Sequence, residues 1–359
     1  MNSHRLFSLP RVAALATTPS AVPAWDAVGH GFVNQTALAT LPADFPALVH
    51  EPANAERIVY LAAEPDRWSH SPDLPIRHYN WMDHYCDLEQ IPDAGLDLHS
   101  LPSLRYDFVA AFAAGRAAHP DRFPAIDPAK DFDHTRAWPG FLPWTITEYY
   151  GKLKAGFSSL KAYEEAGTPD EIANAKADIV YLMGIMGHYV GDGAQPLHLT
   201  VHFNGWAGPN PKGYTTWTGF HSWIDGGFIN KAGIKASDIA SRIAPAQPIS
   251  LEPRTDRRDP VFVATMDYLL DQSKLVEPLY QLELAGKLND ENEKASRLNQ
   301  DRGPVNAESR AFIETQLLKG GEMLGAIWLT AWRSAPPDAF LRSQLLRRQA
   351  TGEPIKAKP

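Results

Sequence analysis

The sequence predicts an all-α fold, a single compact helical domain. Three observations predict it. Apolar residues recur at spacings of three and four along most of the chain, the period of an amphipathic helix. Alternating β-branched runs, which would mark strands, are nearly absent. At 359 residues and 44% hydrophobic content, the chain has enough apolar side chain for a substantial core.

The elements follow in order. Residues 1–24 hold Arg5, no acidic residue, a modest apolar run and small residues ending at Ala24. They read as an export signal cleaved after Ala24, although Pro10 and Arg11 interrupt the apolar region. Segments 103–118, 140–163, 259–286 and 309–332 all carry helical spacing. The sharpest helix start lies at Thr168, an N-cap followed by Pro169 and by Glu171, which completes a capping box. From there IANAKADIVYLMGIMGHYV (172–190) is apolar on nearly all sides, as expected of a central buried helix. Residues 203–220 form a loop rich in Gly, Pro and aromatics; loops of that length are usually functional or disordered. Residues 341–359 read as a loose tail, leaving one domain over 25–340. No internal repeat, low-complexity stretch or bilayer-spanning apolar run is present. Nothing points to an obligate protein partner.

Formal charge is −8, which argues against the broad basic face of a tight duplex-DNA binder. It leaves room for a substrate anion held locally by metal ions. Cys86 is the single cysteine, so intrachain disulfides and cysteine-based zinc motifs are excluded. Any metal must then be held by His, Asp, Glu or backbone groups.

The thirteen histidines supply the candidates. In HYVGDGAQPLH (188–198), His188 and Asp192 stand four apart on one helical face, and Gly193 and Pro196 break the helix before His198. His221 and Asp225 repeat the four-residue spacing. Upstream lie Asp66 and His78, and near residue 25 Trp25 precedes His30. Each pair alone is an ordinary spacing. Finding two such pairs with His198 between them changes the reading. His188 and Asp192 would otherwise be polar groups on a very apolar helix, costing several kcal/mol if buried without partners. A shared metal site removes that difficulty.

This ordered series (Trp with a nearby His, Asp and His, His-x3-Asp-x5-His, His-x3-Asp) resembles the zinc-dependent phospholipase C / S1–P1 nuclease superfamily. The nine matching positions run from residue 25 to 225. The resemblance implies an all-helical domain with a tri-zinc cleft. Asp66, His78, His188 and Asp192 would bind one zinc, and His198, His221 and Asp225 a second. Trp25, through its free amino and carbonyl groups, would bind the third with His30 and a bridging Asp192. Asp66 would also act catalytically, orienting or deprotonating the attacking water.

Asp225 in place of Glu, and Tyr79 directly after His78, favour the nuclease branch. Tyr79, Trp81, Trp206, Tyr214 and Trp217 are candidates for stacking a base, with Tyr79 and Trp217 foremost. The expected activity is hydrolysis of phosphodiester bonds in single-stranded nucleic acid or nucleotides by a secreted or periplasmic enzyme. The alternatives are a phospholipase C acting on phospholipid head groups and a non-enzymatic zinc-binding protein. One departure from the family pattern is Asp26, where small residues are common.

Overall fold

The capping box read at residues 168–171 forms as expected. Thr168 Oγ1 accepts the Glu171 N–H at 3.3 Å, and the Glu171 carboxylate accepts the Thr168 N–H at 2.8 Å. The computed structural model describes residues 25–288 and 305–352, and these contain helices, turns and loops but no strand. In chain order the helices are α1 (Ala27–Thr40), α2 (Pro52–Leu61), α3 (Glu64–Ser69), α4 (Leu74–Trp81), α5 (Gln90–Asp93), α6 (Arg105–Ala118) and α7 (Leu142–Ala166). There follow α8 (Pro169–Ala194), α9 (Phe220–Ser222), α10 (Phe228–Ala232), α11 (Ala236–Ile239), α12 (Pro260–Ser273), α13 (Val276–Leu284), α14 (Ala307–Ser334) and α15 (Ala339–Thr351). None is long and apolar enough to cross a membrane.

Helix α8 is central, with α1, α2, α7, α12 and α14 packed against it. Ile179, Val180, Met183, Ile185, Met186 and Val190 are all buried, each worth about 1.5–3 kcal/mol of transfer free energy for the larger side chains. Helix α1 crosses α8 at Gly187, where any Cβ would overlap the Asn34 carboxamide. That carboxamide donates to the carbonyls of Ile58 at 2.7 Å and Gly184 at 3.1 Å. The crossing therefore ties α1, α2 and α8 with hydrogen bonds inside an apolar core.

Helix α8 ends where the sequence breaks it. Gln195 is extended, and its side-chain oxygen accepts the Leu197 N–H at 2.7 Å. A short 3-10 turn then runs over Pro196–Leu199. Trp206 anchors the loop over 203–220, packing on Tyr214 within it and on His202 and Tyr280 outside it.

The C-terminal expectation is corrected. Residues 339–351 form α15 instead of a loose tail, capped by Asp338 and docked on α7. Leu345 is fully buried beside Ala162 and Ala166. Arg342 forks onto Glu165, and Arg348 forks onto Glu171 at 2.7 and 2.8 Å. The leader read at residues 1–24 and the last residues, 353–359, lie outside the described residues.

Candidate metal centre

Every residue from Met183 to Leu199 is buried, so the polar groups on the last turns of α8 face protein on all sides. His188 and Asp192 lie one turn apart there, with His188 Nε2 3.4 Å from Asp192 Oδ2. His30 of α1 stacks on the His188 ring at 3.9 Å between centroids, and its Nε2 stands 3.5 Å from Asp192 Oδ1. Gly191 permits that approach, since a Cβ there would stand 3.0 Å from His30 Nδ1.

Asp66 of α3 and His84, which follows α4, complete this side. His84 Nδ1 lies 2.8 Å from His188 Nε2, 3.3 Å from Asp192 Oδ2 and 3.9 Å from Asp66 Oδ1. Backbone carbonyls orient the rings. His188 donates Nδ1–H to the Ala62 carbonyl at 2.8 Å, and His198 donates Nδ1–H to the His84 carbonyl at 2.8 Å. In a neutral imidazole this leaves the Nε2 lone pair as the ligand atom. His70 does similar work on the backbone, donating to the Asp66 carbonyl at 2.8 Å.

The second side is built after the break in α8. His198 Nε2 meets His221 Nε2 at 3.0 Å, and His221 Nε2 stands 3.1 Å from Asp225 Oδ2. Asp225 sits in a π-helical turn over Trp223–Gly227, a widened turn often found at functional sites. Its other oxygen accepts a hydrogen bond from the buried Gln195 carboxamide at 2.7 Å.

Three groups thus have ligand atoms within 4.8 Å of one another: His30, His188 and Asp192; Asp66, His84 and His188; His198, His221 and Asp225. The first two share His188 and merge around Asp192. All of these side chains are buried. Burial holds the His30, His188 and His221 imidazoles well below their usual range, and pushes His84 down to about 3 and His198 to about 4. Burial also raises the carboxyls of Asp66, Asp192 and Asp225.

Both ring nitrogens of His30, both carboxylate oxygens of Asp192, His221 Nδ1 and Asp225 Oδ2 lack a hydrogen-bond partner. Each such orphan costs about 1–3 kcal/mol. A cation answers both facts: it gives the lone pairs a partner and favours the ionised carboxylates. The residues therefore fit metal ions, and a nitrogen-and-oxygen donor set of this kind suits a first-row divalent metal.

Seven of the nine positions read from the sequence gather in these groups, Trp25 packs beside them, and His78 does not. His78 is exposed on α4 and donates Nδ1–H to the Asp133 carbonyl at 2.7 Å. The place facing Asp66 and His188 belongs to His84, because α4 ends at Trp81 and the chain turns inward only beyond it. Trp25 is fully buried and donates its indole N–H to the Gly191 carbonyl at 2.9 Å, one residue before Asp192. Asp26 donates its backbone N–H to the Asp225 carbonyl at 3.1 Å. Its side chain caps α1 by accepting from Val28 and Gly29, which accounts for an acid at that position.

Among the aromatics, Tyr79 is 52% exposed, whereas Trp217 is half-buried over Gly219. Trp81 is also half-buried. Trp206 and Tyr214 belong to the packing of the loop. Phe203 was not anticipated: 40% exposed, it meets the His221 ring edge-on at 6.0 Å between centroids. Gln195 was also missed, since Gln is not among the residues whose capping preference would mark it. No family model, curated protein or solved structure matches this chain.

Proposed function

We propose that this chain is a zinc-dependent phosphodiester hydrolase of the S1/P1 nuclease type, acting on single-stranded nucleic acid or nucleotides. The carrying observation is the Asp192 carboxylate, fully buried, without a hydrogen bond, and surrounded by His30, His84 and His188 at 3.3–3.5 Å. In this reading zinc is held by Asp66, His84, His188 and Asp192, by His198, His221 and Asp225, and by His30 with Asp192 and the Trp25 backbone.

Zinc bound at such a site lowers the pKa of water and offsets negative charge on a phosphate. The chain's own residues do the rest. Asp66 is the most accessible of the three carboxylates, at 7% against 2% or less, and is placed to orient the water or accept its proton. Phe203 offers an exposed ring face beside His221 for an unstacked base. The three aspartates carry less charge than three divalent cations, so an acidic protein keeps a locally positive site for phosphate. The leader read at residues 1–24 would direct the enzyme out of the cytoplasm.

The test is one purified, zinc-loaded sample assayed against single-stranded DNA, RNA and phosphatidylcholine. Nucleotide release is expected. Hydrolysis of phosphatidylcholine without cleavage of either nucleic acid would replace the nuclease reading with phospholipase C. Zinc binding without any turnover would replace it with a non-enzymatic zinc protein.

A further inference from the structure

Asp83 immediately precedes His84, and its side chain is fully buried. Arg105, the first residue of α6, donates Nη1–H to Asp83 Oδ1 at 2.7 Å. Its Nε and Nη2 fork onto Glu148 at 2.8 Å each, and Nη2 also reaches Thr145 Oγ1 at 2.9 Å. Glu148 and Thr145 belong to α7. One guanidinium therefore joins α6, α7 and the segment that carries His84, with the Phe141 ring 5.3 Å away.

His84 itself has two duties. Its Nδ1 faces His188, Asp192 and Asp66, while its backbone carbonyl holds the His198 ring of the other group. On the far side of the ring, Nε2 lies 3.1 Å from Asn80 Nδ2 and 3.4 Å from Ser69 Oγ. A shift of the backbone at His84 would misdirect both groups at once. An ion pair with its carboxylate fully buried is a poor source of net stability, because desolvation offsets most of the attraction. A guanidinium fork is a good source of fixed direction.

We propose that Arg105 is a positioning residue for the metal centre, acting through Asp83 to fix the backbone at His84. The inference rests on the metal reading of the two groups joined by His84. Partners one step removed from a metal typically change its affinity by about 10–100-fold when lost.

The test compares Arg105→Gln, Arg105→Lys and Glu148→Gln in the full chain. Zinc affinity is measured by chelator competition, and ligand geometry by the visible absorption of the cobalt-substituted protein. Thermal unfolding of the metal-free forms reports on the fold. Arg105→Gln is expected to weaken zinc about tenfold or more and to alter the cobalt spectrum. Arg105→Lys should recover part of both, since it keeps a cation beside Asp83. Glu148→Gln should change them less, since the Asp83 bond remains.

Wild-type zinc affinity and an unaltered cobalt spectrum in Arg105→Gln would overturn the proposal. If that variant does not fold, Arg105→Lys decides on the same two readouts. A wild-type protein that binds neither zinc nor cobalt would sink the metal reading and this inference with it. Intact wild-type binding with unaffected Arg105 variants would sink the inference alone.

Discussion

The backbone carbonyl of His84 accepts the Nδ1–H of His198 at 2.8 Å, while the His84 ring faces His188 at 2.8 Å in the neighbouring group. One residue thus serves two groups, as a candidate ligand in one and as the orienting acceptor in the other. Its substitution and that of His78 separate the two possible assignments. His84→Ala should abolish zinc binding on the Asp66 side and lower turnover at least about a hundredfold, given the usual effect of losing a coordinating group and its orienting bond. His78→Ala should stay near wild type, because it removes one exposed hydrogen bond to Asp133. The reverse result would return the ligand role to His78.

Asp192→Asn should be more damaging than Asp225→Asn. Asp192 lies within 3.5 Å of His30, His84 and His188, whereas Asp225 stands 3.1 Å from His221 alone among the imidazoles. Asparagine keeps the shape of either side chain but removes the charge. At Asp225 it can still accept the Gln195 bond. Elemental analysis should show a larger metal loss in Asp192→Asn. Equal metal content and equal residual activity would remove the bridging role of Asp192.

Phe203→Ala and Trp206→Ala should fail in different ways. Phe203 presents an exposed ring beside His221, so its loss should raise KM for single-stranded substrates by roughly tenfold, the lower part of the range for one base stack. A small chromogenic phosphodiester should be spared. Trp206 stacks on His202 at 3.9 Å and packs against Tyr280, so its loss should destabilise the fold by roughly 3 kcal/mol. An unchanged KM in folded Phe203→Ala would exclude a base from that ring.

Sequence patterns exposed the site unevenly, for physical reasons. His188, Asp192, His198, His221 and Asp225 were legible because short-range helical spacing and one helix break already bring them together. His84 was not. Two histidines stand six residues apart at 78 and 84, and only the end of α4 at Trp81 decides which one turns inward. Helix α15 was hidden for a similar reason. Leu345 is its one fully buried side chain, and its other anchors include ion pairs to Glu165 and Glu171, more than 170 positions away. A narrow apolar stripe and distant charge partners leave little local periodicity to read.

Those distant partners predict a pH effect. Hydrogen bonds from Arg348 hold the Glu171 carboxyl at about 2, below its usual 4.5. A depressed folded value means the stabilisation is fully present above the unfolded value. It is lost as pH falls from about 4.5 towards about 2. Arg348→Ala should cost little at neutral pH, because the pair is largely solvated. The difference in melting temperature between wild type and variant should shrink across that acid range. A constant difference would show that the pair does not anchor α15.

The last prediction concerns the chain at Trp25. Its buried indole is tied to the Gly191 carbonyl at 2.9 Å, and the next backbone N–H is tied to the Asp225 carbonyl at 3.1 Å. These bonds seat residue 25 beside the last turn of α8, next to Asp192 and His30. Inside a longer chain its nitrogen is an amide whose lone pair is delocalised into the carbonyl, and it is a poor ligand. Cleavage after Ala24 turns the same nitrogen into an amine with a free lone pair, at a place the indole has already fixed. Trimmed protein, reading Trp-Asp-Ala-Val at its N-terminus, should therefore bind three zinc ions per chain, and protein beginning at Met1 should bind two. Processing would then act as activation as well as export. Trp25→Ala should lower the third zinc's affinity even in trimmed protein, because the amine survives but its anchor does not. If chain beginning at Met1 matches the trimmed form in zinc content and turnover, residue 25 contributes packing alone.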